Sequence, residues 1–140
     1  MRYCTFDGIP FDILHPMKDW QIRAVRVKEL VPYSNTTIVE QIGHEPATAT
    51  WELLFYTRDD WFAFVSRFGN SATGTLRLPT GLQSLKGTQE TRDNPPVVYD
   101  ILDNVSVEAI GQATMHIGGK VKVQVTFERM VDPVTRLAVT

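Results

Sequence analysis

Large apolar side chains recur at helical spacing in one stretch of the chain, residues 57–69. Trp61, Phe64, Val65 and Phe68 stand at positions i, i+3, i+4 and i+7, which places them on one face of a helix with 3.6 residues per turn. We therefore predict a short amphipathic helix with these four side chains facing the core. A helix of this length is not stable alone, so it must cover a sheet.

Capping signals mark both ends of this predicted helix. The Thr57 hydroxyl can accept a hydrogen bond at the N-terminus, and Asp60 can bond back to the Thr57 backbone, as in a capping box. Asp59 and Asp60 lie near the positive end of the helix dipole, and Arg67 lies near the negative end. Gly69 can adopt the left-handed conformation that ends a helix.

Period-two alternation predicts strands before the helix. Asp7-Gly8 favours a tight turn, because both residues tolerate positive φ. Along residues 20–31 the inward face changes from even to odd positions, which predicts a β-bulge near Ala24. Residues 43–48 are more polar and are predicted to be a loop or an irregular edge. The predicted strands are residues 2–6, 9–14, 20–31, 36–41 and 49–56.

The chain after the helix is also predicted to be mainly strand. Residues 75–78 form a short strand, and residues 80–96 form a long, polar, turn-rich loop. Residues 97–109 place an apolar side chain at every odd position except Asp103, and residues 121–128 alternate strictly. The connection 111–119 joins these two strands into an antiparallel hairpin. The fold class is therefore mainly β, an antiparallel barrel or sandwich with one α-helix packed on the sheet.

Composition limits the chain to one core. Its 140 residues, 43% of them hydrophobic, fit a single domain over 1–140 with a short C-terminal tail at 132–140. A formal charge of -2 gives no basic footprint for nucleic acid or an anionic membrane. The single cysteine, Cys4, excludes an internal disulfide and is predicted to be buried. The chain shows no signal peptide or membrane span, so we expect synthesis in a cytoplasm.

Candidate chemistry is sparse. The histidines His15, His44 and His116 lack the i, i+4 spacing of a helical metal site, and no nucleophile elbow, P-loop or dinucleotide motif is present. We predict no catalytic residue, no metal site and no cofactor. Tryptophan is a residue type that stacks on sugars and bases, but all three tryptophans fall on apolar faces that a core would occupy. A scaffold without a convergent polar cluster favours binding or assembly over catalysis.

The order of elements over residues 20–131 resembles a known family. The strings that carry the likeness are Trp51-Glu-Leu-Leu-Phe-Tyr before the capped helix, Gly74-Thr-Leu-Arg-Leu-Pro after it, and the last strand Val121-Lys-Val-Gln-Val-Thr-Phe-Glu-Arg. This layout is similar to the tail-hub barrel of tailed bacteriophages, found in distal tail proteins and in the phage tail protein U group.

The resemblance implies a structural protein of the virion. Its members form a ring, usually of six copies, at the distal end of the tail, where the ring joins the tail tube to baseplate or hub proteins. DNA would pass through the lumen, no membrane would be involved, and assembly would take place in the bacterial cytoplasm. Because the chain ends soon after the barrel, we expect no additional carbohydrate-binding or arm-binding domain of the kind that many distal tail proteins carry.

The ring interpretation also predicts contact surfaces. They are the 80–96 loop, the 111–119 hairpin tip, the N-terminal strand pair and the tail, with contacts from Lys86, Arg92, Asp93 and His116. Two alternatives stay open. The first is a tail terminator, tail-tube or head-tail connector ring subunit, and the second is a small ligand-binding β-barrel with tryptophans lining a pocket.

Overall fold

The computed structural model describes residues 4–14, 17–22, 24–30, 37–44, 46–69, 73–79, 85–92, 94–131 and 137–138, with backbone alone for 24–30 and 37–44. Over these residues the chain forms ten strands and one helix. They are β1 Cys4–Phe6, β2 Ile9–Ile13, β3 Ala24–Leu30, β4 Thr37–His44, β5 Pro46–Phe55, α1 Arg58–Gly69, β6 Gly74–Leu78, β7 Thr88–Arg92, β8 Val97–Ile110, β9 Thr114–Met115 and β10 Val121–Met130.

Six of the strands close into an antiparallel barrel. The hydrogen-bonded order is β8, β6, β1, β2, β5 and β10, and β10 pairs with β8 to complete the circle. The predicted fold class, mainly β with one helix, is confirmed. Strands β3 and β4 form a separate two-stranded sheet, and their register shifts between Val25 and Arg26, close to the bulge predicted at Ala24.

The barrel closes where β8 pairs with β10, and we call this pairing the seam. Along the edge that forms the seam, each of these two long strands also pairs with a second, short strand. β8 pairs with β6 along one edge; its other edge pairs with β7 at Val97–Ile101 and with β10 at Val105–Ile110. The edge of β10 opposite β5 pairs with β9 at its start and with β8 further along. β7 and β9 therefore extend from the two ends of the seam, outside the closed circle.

Aromatic rings fill the interior of the barrel. Phe6, Phe11, Phe55, Phe64 and Phe127 are fully buried, and their neighbouring ring centroids lie 5.0–6.5 Å apart. Four of these rings come from strands, where alternation points them inward. Phe64 comes from α1, which covers the barrel interior. The helix is therefore joined to the strands through the centre of the core.

The helix buries a narrower face than its sequence predicts. Trp61 and Phe64 are in the core, but Val65 and Phe68 are 37% and 38% exposed, so their assignment to the core is wrong. Val65 lies about 100° around the helix from Phe64 and therefore flanks the contact face. Phe68 lies in the last turn of α1, next to Arg67, whose guanidinium is ion-paired with Asp7 in the β1–β2 turn.

The N-terminal cap of α1 forms as predicted. The Asp60 amide donates a hydrogen bond to the Thr57 hydroxyl over 3.2 Å, and the Trp61 amide donates to the Thr57 carbonyl. A reciprocal bond from the Asp60 carboxylate is not seen in the described part of the chain. The helix ends at Gly69, the predicted residue, while the left-handed conformation of that glycine stays a prediction.

Two segments predicted to be irregular are strands. β4 continues to His44 and β5 begins at Pro46, so the predicted loop at 43–48 is wrong. The predicted loop at 80–96 contains β7, whose residues Thr88–Arg92 pair fully with β8. Neither segment has enough apolar residues to show the alternating pattern of a strand. Both are strands because a neighbouring strand supplies hydrogen bonds to them.

One residue changes the inward face of β8. Asn104 has φ of 59°, and the register against β6 shifts between Gly74 and Leu76. Asp100 and Leu102 are buried before this point and Val105 after it. The prediction that all inward residues of this strand share odd positions is therefore wrong. The predicted turn at Asp7-Gly8 is confirmed, with φ of 51° and 81°.

Candidate assembly surfaces

A groove with a volume of about 330 Å³ lies between the first turn of α1 and the hairpin tip that joins β9 to β10. Among its described lining residues, three carry basic side chains and none carries a carboxylate. We call it the basic groove, and its lining residues are Arg58, Trp61, Phe62, Met115, His116, Gly118, Gly119, Lys120 and Val121.

Aromatic rings hold the two strongest cations of the basic groove. The Arg58 guanidinium lies 5.3 Å from the centroid of the Phe62 ring. The Lys120 ammonium lies 5.8 Å from the centroid of the Tyr56 ring. Both cations are exposed, so ring contact orients them while their charge remains open to an anion.

The hairpin tip carries exposed apolar side chains. Met115 is 66% exposed and Ile117 is fully exposed. Gly118 and Gly119 have φ of 102° and 93°, values that a residue with a Cβ rarely adopts, and the His116 amide donates to the Lys120 carbonyl. The turn therefore has a defined conformation that presents Ile117 to solvent. An ordered apolar tip beside a charged groove is typical of a protein contact.

The predicted contact residues do not form one site. His116 lies in the hairpin tip, as predicted, and lines the basic groove. Lys86 lies two residues before β7 and Arg92 is the last residue of β7. Both are exposed, and the Arg92 guanidinium lies 5.9 Å from the Tyr99 ring centroid. Asp93 and most of the tail lie outside the described residues. The contact roles themselves stay predictions.

Sequence reasoning missed a pair of carboxylates on the outer face of the barrel. The register between β8 and β10 shifts between Thr126 and Phe127, which leaves Glu108 as the extra residue of a β-bulge. Because Glu128 pairs with Ser106, the bulge places Glu108 diagonally beside Glu128 on the outer face. Burial and then the neighbouring Glu108 raise the pKa of Glu128 above its usual value of 4.5. Like charges on neighbouring positions of paired strands destabilise a sheet.

Replacing Glu128 with glutamine should therefore stabilise the monomer by about 0.5 kcal/mol at pH 7, a small value because the pair is partly solvated. Because the pKa of Glu128 is higher in the folded state than in the unfolded state, its protonation contributes stability that is fully present below pH 4.5. This contribution is lost as the pH rises through the folded-state pKa of Glu128. The gain should vanish near pH 4 in denaturant titrations of dilute protein. The control Glu90→Gln removes an ion pair with Arg77 and should not stabilise.

A buried arginine lies at the centre of the seam. Arg129 is 3% exposed; its Nε donates to the Asp103 carbonyl over 2.8 Å and its Nη1 to the Lys86 carbonyl over 3.0 Å. Burial lowers the pKa of this guanidinium, and the Asp103 carboxylate opposes that shift. Arg129 thus ties β10 to the bend of β8 and to the segment that enters β7. These bonds explain its burial structurally.

Cys4 is a buried thiol, as predicted. Burial, with a smaller effect from the Asp12 charge, raises its pKa from 9.0 to about 12. We expect no reaction with a thiol reagent at pH 8 in the native state and rapid reaction in denaturant, because the thiolate is the reactive form. Between pH 9 and 12 the unfolded chain alone ionises, so stability should fall as pH rises. Native labelling at pH 8 would contradict this burial.

Comparisons with known proteins add no assignment. No model of a known protein family matches the chain, and a search of curated proteins finds no match. In the described part of the chain, no three metal-ligating side chains gather, and no described helix is long and apolar enough to cross a membrane. The surfaces above are therefore interpreted from their geometry.

Proposed function

We propose that the protein is a structural subunit of a bacteriophage tail, forming a ring at the distal end that connects the tail tube to baseplate or hub proteins. The observation that carries this proposal is a closed β-barrel whose one described helix is inserted between β5 and β6 and covers the core. This is the arrangement expected from the resemblance of residues 20–131 to the tail-hub barrel. In this role DNA passes through the lumen of the ring.

The packing of the barrel favours assembly over binding of a small ligand inside it. Trp51 and Trp61 are buried, and the rings of the five core phenylalanines occupy the interior between them. Trp51 also donates its indole N–H to the Lys18 carbonyl over 2.6 Å, and its ring packs edge-on against Trp20. The three tryptophans are thus packed in the core. The cations and the exposed apolar side chains of the basic groove and hairpin tip lie on the surface.

The native mass of the purified protein across a concentration series tests the proposal. We expect a closed ring, usually of six copies in such tails, either alone or after addition of the tail-tube or baseplate protein of the same phage. A monomer at every concentration, with and without those partners, would contradict it. Labelled subunits seen by electron microscopy at the tail tip support the distal position. Labels at the head end or along the tube would instead assign a terminator, connector or tube subunit.

A further inference from the structure

We propose that the basic groove of one copy binds the Glu108–Glu128 pair of the next copy, as the head-to-tail contact of the ring. This inference rests on the proposed function and adds to it a specific surface on each side of the subunit. The occupant of the groove is thus a second copy of this chain.

The charges on the two surfaces are complementary. Arg58, His116 and Lys120 line the groove without a carboxylate among its described lining residues. On the outer face of the barrel, Glu108 and Glu128 are neighbours across the bulge, and the ion pairs found among the described residues include neither of them. A cation placed beside the two carboxylates would reduce their repulsion, and a carboxylate placed in the groove would neutralise the positive charge of its cations.

Apolar side chains accompany the charges on both surfaces. Met115 and Ile117 stand exposed beside the groove. Met130 is 37% exposed and points to the same side of β10 as Glu128, two residues away. Ala109 is exposed next to Glu108 and adds a small apolar side chain to the same surface. Each surface therefore offers an apolar area next to its charges, the composition of a specific protein contact.

The distance between the two surfaces requires two different copies. Val121 lines the groove at the start of β10, and Glu128 lies seven residues further along this extended strand, about 23 Å away. The groove of one copy cannot reach its own carboxylate pair. A contact that joins two different surfaces is heterologous, and repetition of such a contact generates a ring when the rotation closes.

Charge reversal tests the contact. We expect Lys120→Glu and Glu128→Lys each to weaken self-association at least about tenfold, measured by analytical ultracentrifugation or native mass spectrometry, because each places like charges face to face. The double variant Lys120→Glu with Glu128→Lys should restore association, because the charges are again opposite. Lys122→Glu, on the same strand but paired with Glu52 outside the groove, is the matched control and should assemble like the parent.

The outcomes separate this inference from the proposed function. If both single charge-reversal variants assembled as tightly as the parent, the proposed contact would be overturned, while the ring proposal would stand. Loss in the single variants without recovery in the double would show that the two residues do not face each other, and this too would overturn it. A parent that never assembles, with or without tail partners, would overturn the proposed function itself. Thermal unfolding of each variant verifies that it is folded.

Discussion

Replacing Phe64 with alanine should lower the free energy of unfolding by about 4 kcal/mol. Phe64 is fully buried, and its ring lies 5.0 Å from that of Phe55 and within 6.5 Å of those of Phe6 and Trp61, measured between centroids. Removing it leaves a cavity that the surrounding strands cannot close, because they are fixed by the barrel hydrogen bonds. Denaturant titration followed by tryptophan fluorescence measures the loss.

Phe62→Ala is the matched control for this prediction. Phe62 is two residues away on the same helix, is 49% exposed, and contacts the Arg58 guanidinium. Its replacement should change the free energy of unfolding by less than about 1 kcal/mol. If Phe64→Ala were as stable as Phe62→Ala, the helix would not cover the barrel core as described.

Replacing Arg129 with methionine should cost about 3 kcal/mol of folding stability. Methionine matches the arginine stem as far as Nε, so most of the packing of the aliphatic stem is retained. The loss comes from the carbonyls of Lys86 and Asp103, which the guanidinium satisfies within a buried part of the seam. Urea titration measures the effect, and hydrogen exchange should show increased opening of β7.

Two further variants define the cause of that loss. Arg129→Lys keeps the charge but cannot donate to both carbonyls in the same fixed geometry, so we expect it to lose most of the same stability. Arg92→Met removes an exposed arginine from the end of β7 and should be nearly neutral. If Arg129→Lys retained parental stability, charge alone rather than the two directed hydrogen bonds would hold the seam.

The sequence predicts those elements whose periodicity is local. The helix from Arg58 to Gly69 and the alternation of β5 and β10 follow from residues within each element. β7, with the sequence Thr-Gln-Glu-Thr-Arg, has no apolar alternation and is a strand because β8 pairs with it. The phase change at Asn104 depends likewise on pairing with β6. Tertiary hydrogen bonds, which no local pattern encodes, decide both.

The candidate surfaces were predicted less completely. The sequence predicts a contact at His116 because this residue lies in the predicted hairpin tip. Arg58 and Lys120 were missed, because spacing along the chain does not show which exposed cations meet across a groove. The pairing of Glu108 with Glu128 depends on a one-residue register shift, which alternation in either strand alone does not reveal.

Closure of the barrel by β10 has a consequence for synthesis. β10 pairs with β5 along one edge and with β8 and β9 along the other, yet it follows all of them in the chain. While it is still inside the ribosome, both β5 and β8 present unpaired edges, which are templates for aggregation. A product truncated before Val121 would keep those edges open permanently. The nascent chain is therefore prone to aggregate until β10 has been synthesised and has paired with β5 and β8.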